Sequence, residues 1–514
     1  MRGKGLRNST EGLFLACDMG TSGVHCSLFD LEGNVAAKAH RLWKYERDPE
    51  SDEGLMLDLN SALTLMCEAI RETISADGVQ PSHIRAVSAS SQRLGLVLID
   101  DRGTAVKCIP NIDRRANDEA SYVGAQWGRL IYSRTGRWPG PGHPLNKLLW
   151  MKQHEPELYS KASRLLSLGD WLMLRLGGAV ATEATSACET CLYDIINGRW
   201  NVEIAEKTGI GLGMLPEIAP SGTVIGEIDQ TASEKTGLPR GIPLVLGAAD
   251  TECGVLGLGG CEAGDLAVIA GSSAPIETIV EQPAMDTEYR TLTNPYIIPG
   301  QWVVESNAML TGASYRWLLS TFGPSGGHGD PSRSFLELEA EIADSPLGAH
   351  GALCYLGSSI MDSRKGNFPQ AAAIVAPMPS VRGSELGRGD LARATLEAEA
   401  FAIKANIEQL SSVAGKVPSE ILAGGGSLKS PVFRSILSDI LGIPILCSDD
   451  EATPRGCAMC AAFGAGYFNS IADACVAMSP QPTVLEPNAI RAELYDPLYK
   501  RWLNGFRQIK NFQL

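Results

Sequence analysis

Positive charge is what this 514-residue sequence is short of: Lys plus Arg number 44 against 59 Asp plus Glu, a formal net charge of −15. General binders of nucleic acid or of acidic membrane surfaces carry the opposite imbalance, so neither partner is expected. No apolar run of spanning length occurs either. The stretch Leu13 to Cys17 stops at Asp18, far too short for a signal peptide or a membrane span, and a cytoplasmic location follows as the expectation. There is no Gly-x-x-x-x-Gly-Lys-Ser/Thr loop, which argues against a P-loop enzyme, and no glycine fingerprint at the Rossmann spacing. No helix-turn-helix module or long polar tail points to a regulatory or assembly role. Thirteen cysteines invite a metal reading, but their neighbours are mostly apolar or small, as in FLACDMG and ALCYLG. The two Cys-x-x-Cys pairs, Cys188/Cys191 and Cys457/Cys460, lie far apart and have no His at finger spacing. Buried thiols in a reducing compartment are therefore expected, not a metal site.

What is present fits a soluble globular chain: 44% apolar and 20% charged residues rule out wholesale disorder. The length exceeds what one hydrophobic core supports, so two domains or three are expected. The opening MRGKGLRNSTEG, with Arg2, Lys4 and Arg7, reads as a loose tail. Behind it, GLFLACDMGTSGVHCSLFDLEGNVAAKAH reads as three strands joined by a Gly-rich turn and a turn at Glu32-Gly33-Asn34. A helix over about residues 60–75 places Leu63, Met66, Ile70 and Ile74 on one face. Strands Ile84 to Ala89 and Leu94 to Ile99 follow, then a helical stretch over 144–178. Around residue 240 the grammar restarts: IPLVLGAAD is a buried strand ending on Asp250, and DLAVIAGSSAPIETIV gives strand, small-residue turn, strand. A Gly-, Pro- and Ser-rich loop over 323–332 interrupts this half. A helix over about 390–414 then carries Leu391, Ala394, Ala398, Phe401 and Ala405 on one stripe. The strand EILAGGG, a helix from Pro431, the strand IPILC and a helical segment after Pro454 complete it. The chain thus reads as two related α/β halves, each opened by a hairpin with a Gly/Ser/Thr turn.

Four motifs can carry chemistry. In Asp18-x-Gly20-Thr21-Ser22-Gly23, small residues let backbone N–H groups and hydroxyls point at phosphate oxygens, and a carboxylate at the strand end can hold hydrated Mg²⁺. An ordinary hairpin turn has the same composition. Gly271-Ser272-Ser273 is the matching turn of the second half, and a plain polar turn is again the bland alternative. Asp250, at the end of a buried strand, suits a base that takes a hydroxyl proton during phosphoryl transfer, or a helix cap. In Gly424-Gly425-Gly426-Ser427, before the helix from Pro431, backbone can approach a flat ligand such as a nucleobase.

Taken in order and at their distances, DMGTSGVHCSLFD, LGAADTECGVLGLG, AVIAGSSA, AGGGSLKSPVFRSILSDILGIPI and EATPRGCAMCAAFGAG resemble the FGGY carbohydrate kinases over about residues 12–505. The resemblance implies an α/β fold of two actin-like (ribonuclease-H-like) domains, 12–258 on the sugar side and 259–505 on the nucleotide side, around an interdomain cleft for Mg·ATP and a sugar or polyol. It implies that Asp18 assists Mg²⁺, that Gly20, Thr21 and Ser22 contact the transferring phosphate, and that Gly271 and Ser272 contact ATP phosphates. Asp250 would be the catalytic base, with Gly425, Gly426 and Ser427 beside adenosine. Gln92, Arg93, Asp113 and Arg115 stand at positions that supply substrate contacts in the family; Asn111 replaces a tryptophan that many members carry. EGLMLDLN, AVSASSQRLGLVLID, LLSLGDWLMLRLGG and NPYIIPGQWVVES look most like autoinducer-2 kinases, which phosphorylate an open-chain five-carbon dihydroxydione. One position departs: after Arg93 those kinases and glycerol kinases carry Glu, and here Leu94 stands. Losing that acceptor disfavours a substrate that needs it by about 1–3 kcal/mol. The expected partner is a small sugar, polyol or signal molecule, with a second copy of the chain as the candidate homodimer partner. A pentulose kinase, a non-catalytic actin-like nucleotide binder and an inactive sensor are the alternative readings.

Overall fold

In the computed structural model, the described residues are 12–322, 331–365, 372–377, 386–448 and 451–509. The basic tail and residues 323–330 of the Gly-rich loop lie outside them; Pro331 and Ser332 open the helix Pro331–Asp344. The described residues of Met1–Ala263, Ile279–Val303 and Glu451–Pro480 form one compact unit. Those of Gly264–Thr278, Val304–Asp450 and Gln481–Leu514 form the other.

The sheet of the first unit runs Val35–Leu42, Gly23–Phe29, Leu13–Met19, Ile84–Ser91, Pro243–Ala249, Val224–Glu227. Leu13–Met19 is apolar almost throughout and buried on both faces, as a central strand must be. Val35–Leu42 alternates instead, with Ala37 and Ala39 buried between exposed neighbours, which suits its place at the edge. The first three strands are antiparallel neighbours, whereas Leu13–Met19, Ile84–Ser91 and Pro243–Ala249 pair in parallel. Register sets Asp18 beside Ser90 and Ala249 beside Ser91, so three strands end at one edge. Parallel strand ends are where α/β sheets place ligands.

The second unit repeats the plan. Its sheet contains, in order, Trp302–Asn307, Pro275–Val280, Leu266–Ile269, Ile421–Gly424, Ile445–Cys447 and Thr483–Leu485. Leu266–Ile269 is antiparallel to its hairpin partner and parallel to Ile421–Gly424, as in the first unit.

Helix Leu59–Ile74 starts where the Asp58 carboxylate accepts from the backbone N–H groups of Asn60 and Ser61. The stretch 144–178 differs from the single helical segment expected. It is Pro144–His154, Pro156–Lys161, the strand Arg164–Leu166 and Leu168–Leu176. Pro156 lacks the N–H needed to continue the first helix, and Ser167 with Asp170 builds a reciprocal capping box that starts the last one. The strand expected from Leu94 begins only at Leu96, because Leu94 adopts a left-handed φ of 66° that no strand contains.

Helix Ala452–Gly464 belongs to the first unit and packs on the helix Asp250–Gly257. Their backbones nearly touch. A Cβ at Gly257 would lie 1.8 Å from the Ala452 carbonyl oxygen, and one at Gly456 would lie 1.9 Å from that of Cys253. Neither neighbour is a side chain that can swing away. Gly456→Ala is therefore expected to destabilise the protein by about 2–3 kcal/mol, as overpacking does. Thermal unfolding checks this, with Gly213→Ala, where a Cβ meets nothing within 4 Å, as the neutral control.

None of the thirteen cysteines forms a disulfide, and only Cys261 is not buried. Among the described residues no group of three or more His, Cys, Asp and Glu is arranged to hold a metal. No helix among them is long and apolar enough to cross a membrane.

Candidate active site

At the strand ends of the first unit, Asp18 accepts a hydrogen bond from the Ser90 hydroxyl at 3.0 Å. Burial, with the charge of Asp250 adding to it and the Ser90 bond opposing, pushes the Asp18 carboxyl up to about 7. Asp250 is the first residue of its helix, and its side chain is 31% exposed. Burial also pushes Asp250 up, to about 6, with Arg93 opposing and Glu189 assisting. The Arg93 guanidinium lies between two acids, 3.8 Å from Asp250 and 3.6 Å from Glu189. Glu189 is further held by Arg137, whose side chain is fully buried.

Arg93 also lines a small cavity that opens to solvent. Its polar lining includes Ser91, Gln92 and Glu189, while Leu94, Leu165, Leu166, Trp200 and Pro216 make much of the wall apolar. Gln92 ties this cavity to the first turn. Its amide oxygen accepts from the Asn111 N–H at 3.0 Å, and its amide nitrogen donates to the Gly20 carbonyl at 3.4 Å. Thr21 and Ser22 are exposed in the turn, and the Thr21 hydroxyl accepts from the Asn111 side chain at 2.8 Å. The carbonyl of Leu94 accepts at 2.9 Å from the ammonium of Lys147, a buried group that burial pushes down to about 7.

Asp113 and Arg115 take a different place from the expected substrate contact. Both side chains have no exposed surface, and neither lines the cavity. Arg115 donates to both Asp113 oxygens, to Asp48 at 2.6 Å and to the Leu55 carbonyl at 2.9 Å. Its guanidinium also sits over the Trp150 ring, 4.8 Å from the centroid.

In the second unit the two glycine-rich turns meet each other. The Ser427 N–H donates to the Ala270 carbonyl at 2.9 Å, and the Ser427 hydroxyl donates to the Gly271 carbonyl at 3.1 Å. Gly425 has φ 106°, and a Cβ there would lie 2.5 Å from the Ala270 oxygen, so only glycine fits. Gly426 borders open space. Gly312 presses on the same spot: its Cβ would stand 2.4 Å from the Gly271 oxygen and 2.7 Å from the Ser427 hydroxyl. From the helix that Gly312 opens, Arg316 donates to the Ser272 hydroxyl at 2.6 Å.

Two family models match the chain one after the other, and the second spans Ile279–Val303 and helix Ala452–Gly464, which the compact units place with the first. The N-terminal domain of the FGGY family of carbohydrate kinases matches residues 13–257, and its C-terminal domain matches 266–465. The chain belongs to the FGGY family of carbohydrate kinases. An autoinducer-2 kinase of Escherichia coli strain K12 is 28% identical over 495 residues, covering 95% of this chain and 93% of the relative. The autoinducer-2 kinase of Klebsiella pneumoniae subsp. pneumoniae is also 28% identical, over 95% and 92%. Among solved structures, a ligand-bound xylulose kinase from Lactobacillus acidophilus superposes with TM-score 0.85 at 22% identity, covering 97% of this chain and 99% of that one. Plasmodium falciparum glycerol kinase with ADP gives TM-score 0.82 at 18% identity, over 98% and 99%. These structural likenesses establish the two-domain α/β fold.

As a carbohydrate kinase this protein transfers a phosphoryl group to an alcohol, and its family implies ATP as the donor. Mg²⁺ is bound by one or two carboxylates and completed by water and phosphate oxygens, so it needs no all-protein cage. The Asp18 carboxylate fits that donor set, since its charge is disfavoured by burial and by Asp250 and a cation would relieve both. Sequence reading missed Glu189 and Arg137, which meet Arg93 only in space, and Gly312 and Arg316, which carry no motif of their own.

Proposed function

We propose that this FGGY carbohydrate kinase phosphorylates a hydroxyl of a small open-chain compound of the autoinducer-2 precursor class, a five-carbon dihydroxydione. The observation that carries this reading is the cavity beside Asp250: the Arg93 guanidinium, the Glu189 carboxylate and a few amide and hydroxyl groups on one part of its lining, and Leu165, Leu166, Trp200 and Pro216 on another. A sugar hydroxyl turned toward Leu165, Leu166 or Trp200 would lack a partner there, at a cost of about 1–3 kcal/mol. A carbonyl-rich chain with a methyl end suits that wall and gives Arg93 acceptor oxygens to bind. The relatives named autoinducer-2 kinases support the same class.

In this reading Asp250 takes the proton of the attacking hydroxyl, and Arg93 and Gln92 orient the substrate. Backbone N–H groups and hydroxyls of Gly20, Thr21 and Ser22 hold the transferring phosphate. In the second unit, Gly271 and Ser272 take ATP phosphates, with Arg316 adding a cation, and Gly425, Gly426 and Ser427 border the adenosine. Bound at Asp18, Mg²⁺ would neutralise negative charge on the phosphate oxygens. Asp113 and Arg115 serve the site from behind, by holding the segment that follows Asn111.

A coupled ADP-release screen tests the substrate class. The dihydroxydione is expected to exceed xylulose, ribulose and glycerol in kcat/KM by about tenfold or more, the discrimination an unsuited hydroxyl or methylene brings. Robust turnover of xylulose or ribulose without that preference would replace this reading by a pentulose kinase.

A further inference from the structure

The strand that delivers Asp250 is irregular just before it. Pairing with Ile84–Ser91 runs regularly to Leu246 opposite Ala89 and then shifts, so that Ala249 stands opposite Ser91. Gly247 lies against the neighbouring strand so closely that a Cβ would come within 2.2 Å of the Ala89 oxygen. Bulges of this kind re-aim side chains beside active sites, and they interrupt the backbone ladder where they occur. Here the N–H of Ala249, the residue before Asp250, donates to a side chain, the Thr185 hydroxyl, at 2.7 Å. The helix that begins at Asp250 has no side-chain cap of its own. That hydrogen bond is thus a specific tie on the backbone that carries the carboxylate.

The Thr185 hydroxyl is itself oriented. It has one proton, which it donates to Glu183 Oε1 at 2.9 Å, leaving a lone pair to face the Ala249 N–H. Glu183 cannot turn away, because it also accepts from the N–H groups of Thr185 at 2.6 Å and Ser186 at 2.7 Å. Thr185 and Glu183 are both buried. The same short segment, Glu183–Glu189, reaches the substrate cavity through Ser186, Ala187 and Glu189, and Glu189 holds Arg93. One stretch of chain therefore ties the bulged strand end to the wall against which substrate lies.

We infer that Thr185 is a positioning residue for Asp250: its hydroxyl, set by Glu183, pins the bulged strand end and fixes the distance between the base and a substrate held at Arg93. This rests on the reading of Asp250 as the base. Thr185 does not line the cavity, so its loss is expected to act on the chemical step and not on binding. Small misplacements of a reacting group cost up to about a hundredfold in rate.

The test is steady-state kinetics of the full-length kinase with its best acceptor from the screen. Thr185→Val, which keeps the shape and removes the hydroxyl, is expected to lower kcat at least tenfold while both substrate KM values stay within about threefold. Thr185→Ser is expected to return kcat to within threefold of the parent, because the hydroxyl and not the methyl does the positioning. A Thr185→Val enzyme with more than half of the parent kcat overturns the inference, as does equal impairment of the Val and Ser variants. If Thr185→Val lacks a cooperative melting transition above the assay temperature, Thr185→Ala takes its place. Ser at parental kcat with Ala tenfold lower then supports the inference, and equal kcat for the two overturns it. Asp250→Asn in the same assay separates the two levels. Full activity there would remove the base itself, whereas an inert Asp250→Asn with a fully active Thr185→Val removes only the positioning role.

Discussion

Asp250→Asn is expected to lower acceptor-dependent ADP release by about 10²–10⁴-fold, the range that a positioned general base contributes. Nucleotide binding should be nearly unchanged, because the turns expected to hold ATP phosphates and adenosine, Gly271-Ser272 and Gly425–Ser427, are built without Asp250. The pH dependence sharpens the expectation. Only the ionised carboxylate accepts a proton, and burial together with Glu189, against the pull of Arg93, lifts the Asp250 carboxyl to about 6. Below that pH the acid form dominates and kcat/KM should fall with decreasing pH; above it the profile should level off. The Asn variant has no such group, so its residual rate should lose this acid limb. Calorimetric titration with ADP and a pH series of coupled assays measure both parts. Undiminished acceptor-dependent turnover in the variant would end the assignment of Asp250.

Arg115→Met is expected to act on stability where a substrate residue would act on KM. Arg115, Asp113, Asp48, Lys107 and Glu155 form one network whose side chains are each 8% exposed or less. Lys107 reaches Asp48 at 2.6 Å and Glu155 at 2.5 Å, so removing Arg115 leaves those two carboxylates on one ammonium and takes the guanidinium from the buried Asp113. Breaking a buried pair from one side costs about 3–5 kcal/mol, because the partner's charge stays buried without compensation. The melting temperature should drop by many degrees, and the double variant Arg115→Met/Asp113→Asn should recover part of the loss. Substrate KM of the folded fraction should change less than about threefold. A tenfold rise in KM with unchanged melting would return Arg115 to the substrate.

Much of this protein was legible in its sequence. The apolar strand Leu13–Met19, the Gly-Thr-Ser turn behind it and the repeat of that pattern at Leu266–Ser273 are local features, written in side-chain period and turn chemistry. The carboxylate at the end of the buried strand before Asp250 was readable for the same reason, and so was the glycine step after Ile421–Gly424. Leu94 was visible as a departure, but not its left-handed backbone or the Lys147 ammonium beneath its carbonyl. Nor did the order of residues reveal that Ala452–Gly464 closes on Asp250–Gly257 through two glycines.

The amino-acid order by itself determined the strands, the small-residue turns between them and the acid that ends one strand, because each depends on neighbours a few positions away. Only the tertiary structure decided which charges meet: Arg93 between Glu189 and Asp250, Thr185 against the Ala249 N–H, Arg115 sealed beside Asp113 and Asp48. Coulomb energy and desolvation depend on distance through space and on exclusion of water. Neither quantity exists along the chain until it has folded.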